Sequence, residues 1–132
     1  MPRFSPVIID HFTNPRNGGE LPDADVRAFV GNPVCGDQIQ LTAMVVDGVV
    51  TDIRFRAFGC SPSLAVASLL TTILGGRPLC TAADVDAESI ATALGGLAPE
   101  QRHVAGLAVD VAHRLFTNFE SGVSDDCFTC DV

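Results

Sequence analysis

The sequence predicts an α+β domain: a short N-terminal helix, a three-stranded antiparallel sheet, then helices packed on one face of that sheet. Three observations predict it. Two runs of alternating apolar and polar residues, 39–45 and 53–57, flank an Asp47-Gly48 pair. Ser-Pro pairs at 5–6 and 61–62 each precede an apolar stretch, the pattern of an N-cap followed by proline at the first helical position. Near the end of the chain, Val104, Leu107, Ala108, Val111 and Leu115 recur at helical spacing.

Taken in order, Ser5 and Pro6 open a helix reaching about Phe12. Residues 14–25, NPRNGGELPDAD, then form a loop by their Asn, Pro and Gly content. Residues 27–30, RAFV, are a short strand. In the next strand Ile39, Leu41, Ala43 and Val45 alternate with polar neighbours, the period of a half-buried strand. Asp47-Gly48 suits a type I′ turn, which needs positive φ at both central positions. The return strand alternates Ile53, Phe55 and Ala57 against Asp52, Arg54 and Arg56. A helix from Ser61-Pro62 stops at Gly75-Gly76. A further helix over 81–96 would be opened by Thr81 with Asp84 in a capping-box variant. The last helix runs from near Pro99 to about Phe119. The expected division is a domain over 1–120 and a mobile tail over 121–132, with no internal repeat.

Composition narrows the function. No run of about 18 apolar residues is present, and the N-terminal MPRFSPVIIDHF is too short in its apolar part for a signal peptide. Five cysteines without an export signal suggest a reducing cytoplasm, where thiols more often bind metal or react than form disulfides. A net charge of −8 argues against nucleic acid or an anionic membrane as partner. All eight basic residues are arginines, so a lysine Schiff base and a P-loop lysine are excluded.

The chemistry-bearing residues cluster at element junctions. Cys60 stands between the return strand and a helix N-terminus, whose dipole favours thiolate. Cys35 precedes the strand that pairs with that one, so the hairpin can bring both thiols to one end of the sheet. Each could instead be a small buried apolar group. Asp37 alone would be a turn residue; beside two thiolates it becomes a hard oxygen ligand. His103 falls in the first turn of the last helix, where a lone histidine is usually a surface residue. Two cysteines, an aspartate and a histidine suffice for a tetrahedral zinc or iron site. His11 and His113 read as structural, and Cys80 as a packing residue. A cysteine hydrolase pairing Cys60 or Cys35 with His103 is the enzyme alternative, but no substrate pocket is specified.

DHFTNPRNGGELPDAD, GNPVCGD, FGCSPSLAVAS and LGGLAPEQRH, in this order, resemble the U-type iron–sulfur cluster scaffolds, IscU and the N-terminal domain of NifU. The resemblance covers residues 5 to about 119. It implies the same α+β fold and a carrier, not an enzyme. On such a scaffold, sulfur from a PLP-dependent cysteine desulfurase and iron form a [2Fe–2S] cluster, later passed to iron–sulfur recipient proteins. It also implies Cys35, Asp37, Cys60 and His103 as ligands, with zinc an alternative occupant. The oligomeric state is left open, a homo-oligomer included. A degenerate member that binds zinc or iron and docks on a desulfurase without building clusters is the rival reading.

Three departures from the family pattern stand out. Val104 occupies the place of a third cysteine directly after the histidine. LAPEQ replaces the segment offered to an Hsp70 chaperone. Val66 and Ala67 interrupt a serine-rich run. The tail holds Cys127 and Cys130 in a CxxC, a metal or redox spacing. The last helix is about 24 Å long from His103 to Phe119. An extended chain from Phe119 reaches at most about 36–40 Å at Cys130 and about 26–29 Å at Cys127. Cys130 could therefore return to the site; Cys127 could barely do so.

Overall fold

The protein was described from a computed structural model covering residues 6–32, 36–59, 61–96 and 102–121. The elements are α1 (Pro6–Thr13), β1 (Val26–Asn32), β2 (Asp37–Val46), β3 (Val49–Phe58), α2 (Ser61–Leu74), a 3-10 helix (Leu79–Asp84), α3 (Ala87–Ala93) and α4 (Arg102–Ser121). The sheet order is β1-β2-β3, antiparallel throughout. No helix among the described residues is long and apolar enough to cross a membrane. Of the expected tail over 121–132, Ser121 is the last residue of α4, and residues 122–132 lie outside the described residues.

The hairpin forms where the Asp-Gly pair calls for it. Asp47 and Gly48 have φ of 53° and 78°, and Val46 faces Val49 across the turn. That register stacks Leu41 on Phe55 and Ala43 on Ile53, and Ala28 of β1 lies opposite Leu41. These side chains are buried in one core with Leu70 and Leu74 of α2 and Val111 and Leu115 of α4. α2 packs on β3 and β2, α4 on β1 and β2, and α1 lies on α2.

β2 is not the half-buried strand its alternation suggests. Gln40 and Thr42, on the polar face, are only 3% and 1% exposed. The loop before β1 explains this. Asn17 and Gly19 bond the Phe55 backbone at the β3 edge, Leu21 N–H donates to Thr42 Oγ1 at 3.0 Å, and Asp25 N–H reaches Ala43 O. The loop thus crosses the outer face from one edge of the sheet towards the other. Glu20 is held on this face by Arg27 (2.6 Å) and Arg56 (3.3 Å).

Two further expectations are corrected. Residues 81–96 are not one helix: Thr81 sits inside the 3-10 helix, and α3 starts at Ala87, capped by Asp86, which accepts from Ser89 N–H at 2.7 Å. That bond holds the Asp86 carboxyl below the ordinary carboxylate range. Cys80 is exposed rather than packed. In a 3-10 helix residues three apart share a face, and it is Leu79 and Ala82 that are buried.

α2 is apolar nearly all round, and Val66 and Ala67 are both in the core. Its buried Ser68 and Thr71 are satisfied by the segment after α1. Ser68 Oγ accepts from Arg16 N–H and shares a 2.8 Å hydrogen bond with His11 Nδ1, while Asn17 Nδ2 donates to Thr71 Oγ1 at 3.0 Å. His113 donates from Nε2 to Val85 O at 2.8 Å. Both histidines therefore have structural partners.

Burial, reinforced by the Arg16 cation and opposed by Asp10, holds the His11 imidazole below its usual 6.5. The unfolded chain then takes up this proton first, so stability rises with pH across the interval just below 6.5. The contribution is complete above about 6.5 and is lost as pH falls through that window. Tm should therefore drop from about pH 7 to about pH 5.5, and drop less steeply in His11→Gln. Equal slopes in thermal unfolding would assign the effect to other groups.

Candidate metal centre

One end of the sheet carries the end of β1, the start of β2 and the end of β3. Asn32 pairs with Asp37, and Gln38 pairs with Phe58. Asp37 thus begins β2 beside Gly59, the residue that follows β3 and precedes Cys60 in the chain. α2 starts at Ser61, so a 14-residue helix presents its N-terminus at this same end. The β1–β2 connection, which contains Cys35, joins the sheet here too.

α4 runs back along β1. Asn118 Nδ2 donates to Arg27 O at 2.8 Å near the start of β1. Further up, Leu107 lines the same groove as Phe29 and Gly31. From Asn118 back to His103 is about 22 Å of helix, whereas Arg27 to Asn32 is about 17 Å of strand. The first turn of α4, with His103 in its backbone, therefore lies level with the end of β1 that leads to Cys35.

Of the four sequence-predicted ligands, Asp37 is described in full and His103 by its backbone. Cys35 and Cys60 lie outside the described residues, as do Cys127 and Cys130. Among the described residues there is no group of three or more His, Cys, Asp or Glu side chains able to hold a metal. Asp37 is the one candidate ligand whose side chain is among them.

Asp37 is 2% exposed, an unusual burial for a carboxylate at a strand end. It is packed against Gly59, whose φ is +130°. A Cβ built on Gly59 would lie 2.8 Å from Asp37 Cγ and 2.9 Å from Asp37 Cα, with Oδ1 nearer still. The other glycines of this region impose less. Gly36 has positive φ but open space around it, and at Gly31 a Cβ would make ordinary 3.4 Å contacts. The tight steric requirement of this region is at Gly59. Its signal was the FGC triplet, a glycine directly between a strand and a candidate ligand.

Val104, one residue after His103, is fully buried in the core with Leu107, Ala108 and Val111. A branched apolar side chain there belongs to the packing of α4.

The profile of the NifU-like N terminal domain matches residues 3–125. The chain belongs to that family. Within it, the chain is similar to the iron-sulfur cluster assembly scaffold protein IscU 1 of Archaeoglobus fulgidus. The two are 38% identical over 116 residues, spanning 88% of this chain and 76% of that protein. It is similar in the same degree, 38% over 112 residues, to the iron-sulfur cluster assembly scaffold protein IscU of Aquifex aeolicus, covering 83% and 71%. The family fold is shared with a solved NifU-like protein (N-terminal) from Brucella abortus. There the TM-score is 0.68 at 22% identity, over 89% of this chain and 94% of the other.

Proposed function

We propose that this NifU-like domain is an iron–sulfur cluster assembly scaffold. It receives sulfur from a PLP-dependent cysteine desulfurase, assembles a [2Fe–2S] cluster with iron and passes it to recipient proteins. The observation that carries the reading is the 38% identity, over most of both chains, to proteins named as such scaffolds. The sheet end described above supports it. A buried carboxylate, a helix N-terminus and the first turn of α4 stand where Cys35, Cys60 and His103 join the chain. Thiolate and imidazole suit iron and zinc alike, and one carboxylate oxygen among softer donors gives a site that binds and also releases. The protein is a carrier, with Cys35, Asp37, Cys60 and His103 as its ligand set.

Buried Val104 favours a second reading. With that position committed to the core, the site has one thiol fewer than the family resemblance implies. A member so changed would hold zinc or iron and dock on the desulfurase without building clusters.

Metal and acid-labile sulfide, measured on anaerobically purified protein, separate the two. Iron and sulfide in equal amounts are expected for the scaffold. Zinc without sulfide would select the second reading, and neither metal would defeat both. Asp37→Ala should slow the transfer of a reconstituted cluster to a chelator, since it removes the exchange-prone oxygen. Faster loss would make Asp37 a holding ligand instead.

A further inference from the structure

Gly59 carries no donor atom, yet it fixes where the one described ligand can sit. It follows β3, opposite the first residue of β2, with a backbone φ that L side chains rarely adopt. The space a Cβ would need there is filled by Asp37, both its carboxylate and its own Cα. The carboxylate is thereby seated at the strand end and shielded from water, one residue from Cys60 in the facing chain.

We infer that Gly59 is a positioning residue for the metal site: its bare Cα is the seat that aims the Asp37 carboxylate at the metal. This rests on the reading of Asp37 as a ligand given above. Alanine at 59 has two ways to relieve the overlap. It can swing the carboxylate out of its seat, or it can part the ends of β2 and β3. Rotating χ1 of Asp37 relieves the overlap with its carboxylate, but Asp37 Cα still lies 2.9 Å from the new Cβ, so the ends of β2 and β3 must also ease apart. Either movement takes the carboxylate out of its seat, and the variant loses an oxygen ligand without any change at a ligand residue.

The test uses cobalt(II) as the probe on the full chain, whose visible absorption bands report the number and kind of donors. Wild type is expected to give a tetrahedral spectrum containing an oxygen donor. Gly59→Ala should give the spectrum of Asp37→Ala, with the affinity of each lowered by about 10- to 100-fold. Combining the two changes should lower it no further, because the same ligand is lost once. Additive losses, or a Gly59→Ala spectrum equal to wild type, would overturn the inference while leaving Asp37 a ligand. An Asp37→Ala protein with wild-type spectrum and affinity would overturn the ligand assignment itself, and this inference with it. Should Gly59→Ala fail to fold, Asp37→Glu decides, because it keeps the carboxylate but moves it one methylene off the Gly59 seat. It must bind cobalt(II) as weakly as Asp37→Ala does; a wild-type spectrum and affinity would overturn the inference.

Discussion

Cys60→Ala should cost the protein its metal, lowering zinc affinity by about 100- to 1000-fold. The magnitude follows from sharing the roughly 10–16 kcal/mol of a four-ligand zinc site among its ligands. Cys80→Ala is the matched control and should leave affinity unchanged. Cys80 is exposed on the 3-10 helix, whose Leu79 N–H donates to Gly48 O at the hairpin turn. That turn is at the opposite end of the sheet from Gly59, and β3 spans roughly 30 Å between them. A competition titration with a chromophoric chelator reads both variants. If Cys80→Ala loses affinity and Cys60→Ala does not, the site is at the wrong end of the sheet.

The features the sequence disclosed are those set by local chemistry. The Asp47-Gly48 hairpin was legible because two positive φ values in succession leave few residue choices, and both are observed. The α4 stripe was legible because Val104, Leu107, Ala108, Val111 and Leu115 repeat at helical period, and all five are buried. What could not be read depended on contacts remote in the chain. Thr42 looks like a solvent-facing strand residue until Leu21 arrives over it from the loop before β1. Thr81 and Asp84 mimic a helix start, but Leu79 and Ala82 anchor that stretch to the core as a 3-10 helix, and Asp86 takes the cap. The demand at Gly59 comes from Asp37 on a different strand, so the FGC triplet marks the position but not the reason for it.

The same distinction bears on Val104. Next to a candidate ligand, a valine reads as either a lost thiol or a packing residue, and its complete burial shows that it packs. Packing does not prevent the position from accepting a thiol. Cysteine is small and apolar, and replacing valine removes about one methyl group, on the order of 1 kcal/mol. Val104→Cys should therefore fold and raise cluster yield when supplied with a desulfurase, cysteine and ferrous iron, because it adds a soft donor beside His103 in the first turn of α4. Removing residues 122–132 in the same assay tests the CxxC of Cys127 and Cys130. If either thiol substitutes for the missing one, truncation lowers the yield of the wild-type protein and leaves Val104→Cys nearly unaffected. If truncation changes neither, the tail donates no ligand. A Val104→Cys protein with wild-type circular dichroism and Tm but no gain in cluster would show that the thiol count is not what limits assembly. The zinc- or iron-holding, desulfurase-docking role would then be the better account of this chain.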